Sequence, residues 1–98
     1  MKKPSACNTI EGIRNEIDHI DLSILKLLAN RQEFIEEIVK YKTDQDSVIA
    51  EDRQKEVYAQ RREWANDLQL NAAFIENIFK QLVQHNIERE LKLLKNKP

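Results

Sequence analysis

The chain has 98 residues, with 16 Lys plus Arg against 17 Asp plus Glu, a net charge of -1 and a mean hydropathy of -0.67. That length holds a single domain, residues 1–98, and the near-neutral balance argues against a nucleic-acid-binding protein, which would show a basic patch or tail. One glycine, Gly12, and two prolines, Pro4 and Pro98, leave no glycine-rich loop to cradle a phosphate and no hairpin dipeptide, so the chain is predicted to be all-α.

Residues 1 to about 9 lack periodicity and are expected to form a loose arm. Met1-Lys2-Lys3-Pro4 carries charge with no apolar stretch behind it, so no secretory signal is expected. The apolar runs are far too short for a membrane span. Cys7 has no second cysteine to pair with, which suits a reducing cytoplasm. From Ile10 the apolar positions run Ile13, Ile17, Ile20, Ile24, Leu27, Leu28, Phe34, Ile35, Ile38 and Val39, which recur at the helical spacing of three and four with one wider gap at Leu28–Phe34. That period predicts one helix over about 10–42, roughly thirty residues and about 45 Å long.

The polar cluster Thr43 to Ser47 predicts a loop over 43–48, and its place beside Lys42 suggests a lid. A second helix is predicted over 49–67. Glu51 and Asp52 suit its positive N-terminus, and Val57, Tyr58, Trp64, Ala65 and Leu68 form a thin apolar stripe in which Trp64 reads as core. Asn71 is a good N-cap for a third helix over 71–95, which runs through Phe74, Ile75, Ile78, Phe79, Leu82, Val83, Ile87, Leu91 and Leu94. The two shorter helices cannot cover the first, which is therefore expected to pair with its copy in a symmetric homodimer.

Three charges draw notice for the faces they occupy. Arg31 follows Ile20, Ile24 and Leu27 and precedes Phe34, Ile35 and Ile38, where an apolar side chain is expected. It either snorkels to the rim of the core or helps form an anion pocket, since a buried guanidinium needs a carboxylate or phosphate. Lys42 lies about three turns further on, nearly on the same side and about 16 Å away along the backbone. It is either a cation favoured by the helix C-terminus or a second ligand-binding charge. Glu90 sits on the apolar side of the third helix between Ile87 and Leu91. It is either a rim carboxylate paired with a nearby base or a buried group whose protonation matters. His19 and His85 have no metal-site spacing, and Ser5, Ser23 and Ser47 form no nucleophile motif. No cofactor, no metal and no covalent intermediate are expected.

The segment Ile13-Arg14-Asn15-Glu16-Ile17-Asp18-His19-Ile20-Asp21, followed by Leu28-Ala29-Asn30-Arg31 and then Lys42, resembles the first helix of the all-helical chorismate mutase family. Further features resemble that family's lyase branch: Lys2, Pro4 and Cys7 in the arm, Arg61-x-x-Trp64-Ala65, Leu70-x-Ala72-x-Phe74 and Phe79-x-Gln81. The resemblance covers nearly the whole chain. It implies three helices per chain in an intertwined homodimer, and a dianionic small-molecule substrate, isochorismate or chorismate, bound by Arg14, Arg31, Lys42, Arg53 and Glu90. Lys42 and Glu90 become the expected catalytic residues. A typical mutase carries acids that bind the substrate's C4 hydroxyl, and the matching positions here resemble Ala50 and Gln54, which suits a substrate whose hydroxyl lies elsewhere. Arg14 and Arg31 are 17 residues apart, about 25 Å along one helix, so Arg14 is expected to reach the site from the partner chain. The implied reaction is cleavage of isochorismate to salicylate and pyruvate, with weak mutase side activity. A dedicated chorismate mutase and a non-enzymatic helical dimer or adaptor are the alternatives.

Overall fold

The computed structural model describes residues 3–97, among which no strand occurs. Lys2 of the arm lies outside the described residues. Helix α1 spans Ile10–Ile38, α2 Gln45–Ile49, α3 Glu51–Asp67 and α4 Ala72–Lys95, with 3-10 turns at Pro4–Ala6 and Val39–Tyr41. The three long helices are those the sequence predicts, and the fold is all-α.

The ends differ from expectation for local reasons. Thr9 opens α1 by accepting the amide of Gly12 on its hydroxyl at 2.9 Å. The helix stops at Ile38 rather than Lys42, because its end tightens into the 3-10 turn, a common way to satisfy the last carbonyls. Lys42 then leaves in extended conformation, its N–H on the carbonyl of Val39 at 3.0 Å. The expected loop over 43–48 holds the one-turn helix α2. Asp44 accepts the Ser47 amide at 2.8 Å while the Ser47 hydroxyl oxygen accepts the Asp44 amide, a reciprocal capping box. Helix α3 begins at Glu51 rather than residue 49, because Ala50 takes a left-handed conformation, φ 46 and ψ 62, that interrupts the ladder. Asn71 caps α4 as expected, accepting the Phe74 amide at 2.9 Å.

Compactness divides the chain into a unit through Phe34 and a unit from Ile35 onward. The first is essentially α1. No residue of α1 is buried, and its isoleucine face is open: Ile10 is 69% exposed and Ile17 and Ile24 49% each. In the second unit α3 and α4 run antiparallel, with Arg62 paired to Glu76 at 2.9 Å and the Lys80 ammonium over the Tyr58 ring. Val39, Val48, Val57, Ala65 and Ile87 are its buried apolar residues. Arg89 on α4 pairs with Glu36 at 3.1 Å and ties down the last turn of α1. Trp64 is not core. It is half exposed, with the Arg61 guanidinium stacked over its ring at 4.7 Å.

Candidate active site

Glu90 is buried, only 4% exposed, on the face of α4 that also buries Asn86 and Ile87. A carboxylate taken out of water requires a charged or hydrogen-bonding partner. Lys42 supplies it: its Nζ lies 2.8 Å from Oε1 of Glu90, in an ion pair whose side chains are 17% and 6% exposed. The turn after α1 makes the contact by directing Lys42 inward, while its neighbour Lys40 stays at the surface with Glu37.

Lys42 and Glu90, two of the five expected site residues, are thus in direct contact. Arg53 is exposed on α3 and paired with Glu56 one turn on. Arg14 is exposed and Arg31 half-buried, both on α1 within the first unit. They share one uninterrupted helix, so their separation of about 25 Å stands.

The two neutral positions have local roles. Ala50 is the left-handed link between α2 and α3. Gln54 fastens that link, its Nε2 donating to the carbonyl of Ile49 at 2.7 Å. Tyr58 follows one turn on, its phenol raised above the ordinary 10.0 by burial and, second, by the negative charge of Glu76. A groove of about 650 Å³ along α3 and α4 is lined by Gln54, Tyr58, Lys80 and His85, but by neither Lys42 nor Glu90.

Two residues escaped sequence reasoning. Asn86 is buried one turn before Glu90. Its signal was present, since Phe79, Val83, Asn86 and Glu90 fall at spacings of four, three and four. Lys97 donates its ammonium to the carbonyls of Val39, Lys40 and Lys42 at 3.2, 3.1 and 2.9 Å. No sequence pattern announces such a contact. Among the described residues no group of three or more His, Cys, Asp or Glu is placed to hold a metal ion, and no helix is long and apolar enough to cross a membrane.

The chain is thus all-helical, and a partly buried lysine and a buried glutamate from two different segments form an ion pair within its second unit. Residues 13–91 match the family described as chorismate mutase type II, and the chain belongs to that family of enzymes. It is 30% identical over 92 residues to an isochorismate pyruvate lyase of Pseudomonas aeruginosa, covering 94% of this chain and 91% of that protein. It is 28% identical over 91 residues to a bifunctional chorismate mutase/prephenate dehydratase of Buchnera aphidicola, covering 92% of this chain and 24% of that larger protein.

Proposed function

We propose that the chain is an isochorismate pyruvate lyase, releasing salicylate and pyruvate, with weak chorismate mutase side activity. The observation that carries this reading is the end-to-end similarity to the Pseudomonas lyase. The neutral residues Ala50 and Gln54 support it, because a mutase pocket holds acids for the C4 hydroxyl of chorismate.

The substrate is a dianion. Arg14, Arg31, Lys42 and Arg53 bind it, each guanidinium offering a carboxylate two parallel hydrogen bonds. The separation of Arg14 and Arg31 and the open isoleucine face of α1 support a homodimer in which Arg14 crosses to the partner's site. Each chain then forms one domain, 1–98, and each dimer two shared sites.

The chemistry needs no nucleophile. A ring hydrogen moves to the enolpyruvyl methylene as the ether C–O bond breaks, which leaves an aromatic ring and pyruvate. The enzyme holds the reactive conformer and stabilises charge growing on the ether oxygen. Lys42 serves that oxygen: an ammonium has three donors, so one hydrogen bond to Glu90 leaves two for substrate. Salicylate made this way in the cytoplasm suits siderophore synthesis. The short stretch 43–48, which includes most of α2, acts as a lid over the ligand.

Chorismate mutase is the second reading, favoured by the family match and by the Buchnera relative. Assaying salicylate from isochorismate beside prephenate from chorismate separates the two. Salicylate as the dominant product is expected. Prephenate dominance overturns the lyase reading, and absence of both products leaves a non-enzymatic helical dimer.

A further inference from the structure

The turn that presents Lys42 is held from a second direction. Carbonyls at a helix C-terminus lack intrahelical partners and carry the negative end of the helix dipole. In the turn Val39–Tyr41 that shortage is acute, because Lys42 leaves in extended conformation and no ladder continues past it. Lys97 fills the gap. Its ammonium has three hydrogens and no acceptor, and it meets three carbonyls, those of Val39, Lys40 and Lys42. Its own backbone is fixed by the unwinding end of α4: the Lys97 amide donates to Leu94 at 3.2 Å and the Asn96 amide to Lys92 at 3.2 Å.

Glu90 and Lys97 are seven residues apart, about two helical turns, and both reach the same short stretch of chain. Glu90 takes the side chain of Lys42, and Lys97 takes its carbonyl. With one handle only, the ammonium of Lys42 can follow Glu90 while its backbone drifts. With both, the base and the tip of the side chain are referred to the same helix.

We propose that Lys97 is a positioning residue for Lys42, acting through the three carbonyls of the turn after α1. The proposal rests on the reading that Lys42 meets the substrate. Displacement of a catalytic group by about 1 Å can cost as much as about 10²-fold in rate, so a clamp on its backbone has kinetic weight. The effect is specific to the ammonium. A methionine at 97 keeps most of the aliphatic stem but donates nothing. An arginine donates, but its planar fork fits three converging carbonyls less well.

The test compares the full-length wild type with Lys97→Met, Lys97→Arg and the control Lys40→Met, which removes a neighbouring surface charge. With isochorismate and chorismate as substrates, Lys97→Met is expected to lower kcat by about 10-fold with KM changed less than about 2-fold. Lys97→Arg recovers part of the loss, and Lys40→Met leaves kcat unchanged. Hydrogen exchange at the Lys42 amide, which bonds to Val39, is expected to quicken about 10-fold in Lys97→Met while exchange in α3 is unchanged. Unchanged exchange at Lys42 overturns the clamp. Faster exchange with unaltered kcat overturns positioning, and an equal loss in Lys40→Met reduces the effect to bulk charge. A wild type that turns over neither substrate overturns the lyase and mutase readings and the catalytic half of this proposal, while exchange at Lys42 still decides the clamp.

Discussion

Lys42 and Glu90 are 48 residues apart in sequence and 2.8 Å apart in the structure, one on the turn after α1 and the other buried on α4. The pair gives Lys42 a fixed place and also a competitor for its charge. Lys42→Ala is expected to lower kcat by about 10²-fold or more, the usual loss when a donor to developing negative charge is removed. Lys42→His should regain activity only at low pH, where imidazole is charged. Near-normal turnover by Lys42→Ala would take the residue out of the mechanism.

Glu90→Gln separates stability from activity. The amide keeps a hydrogen bond to Lys42 but removes a negative charge that would repel the dianionic substrate of the proposed reaction. Stability should fall by about 1–2 kcal/mol, because a partly buried ammonium loses its counter-charge. Over the same change kcat/KM should rise, because the repelling carboxylate is gone. A drop in kcat/KM at every pH, with an unmoved profile, would show that the carboxylate itself is needed.

Shared sites predict complementation. Sedimentation should give about twice the chain mass of 11.6 kDa. Arg14→Ala and Lys42→Ala are each expected to be nearly inactive. Unfolded together and refolded, they should regain about a quarter of wild-type activity, since half the dimers are mixed and each mixed dimer has one intact site. No recovery would place Arg14 outside the partner's site.

Ala50 is held at φ 46, where a side chain costs about 1 kcal/mol and glycine nothing. Ala50→Gly should therefore raise Tm by up to about 4–8 °C for a domain of this size. A lower Tm would show that chain entropy outweighs the relieved strain.

The phenol of Tyr58 is raised, first by burial and then by Glu76, so the folded chain keeps a proton that the unfolded chain releases near its ordinary 10.0. Its contribution to stability is complete below about pH 10 and is lost as pH rises through the raised value. Melting curves from about pH 8 to 12 should fall less steeply for Tyr58→Phe than for wild type. Identical slopes would rule out Tyr58 as a source of alkaline sensitivity.

The three long helices were legible because apolar residues recur at helical spacing over most of Ile10 to Ile38 and Phe74 to Leu94 and because Asn71 caps as its chemistry suggests. The short elements were not. Asp44 and Ser47 serve equally in a loop or a capping box, and only their mutual bonds decide. Ala50 carries no mark of a left-handed residue, since glycine or asparagine is the usual occupant. Trp64 was placed in the core by its apolar character, but its face is covered by Arg61, a contact that periodicity does not reveal. In the site, the place of Glu90 on the apolar face made burial one of two readings, and the structure shows it buried. That Lys42 would be its partner, and Lys97 the clamp behind it, depends on two helix ends meeting in space.

The order in which these contacts can form follows from their separations along the chain. The Arg62–Glu76 pair closes a loop of 14 residues, so the hairpin of α3 and α4 is the local and entropically favoured part of the fold. Lys42–Glu90 and Arg89–Glu36 close loops of 48 and 53 residues and await that hairpin. During synthesis α1 emerges first and α4 last, so the lysine of the site is made long before the carboxylate that buries it. The pair is therefore among the last native contacts to form, and a chain stalled before that step holds much of its helix while lacking a site.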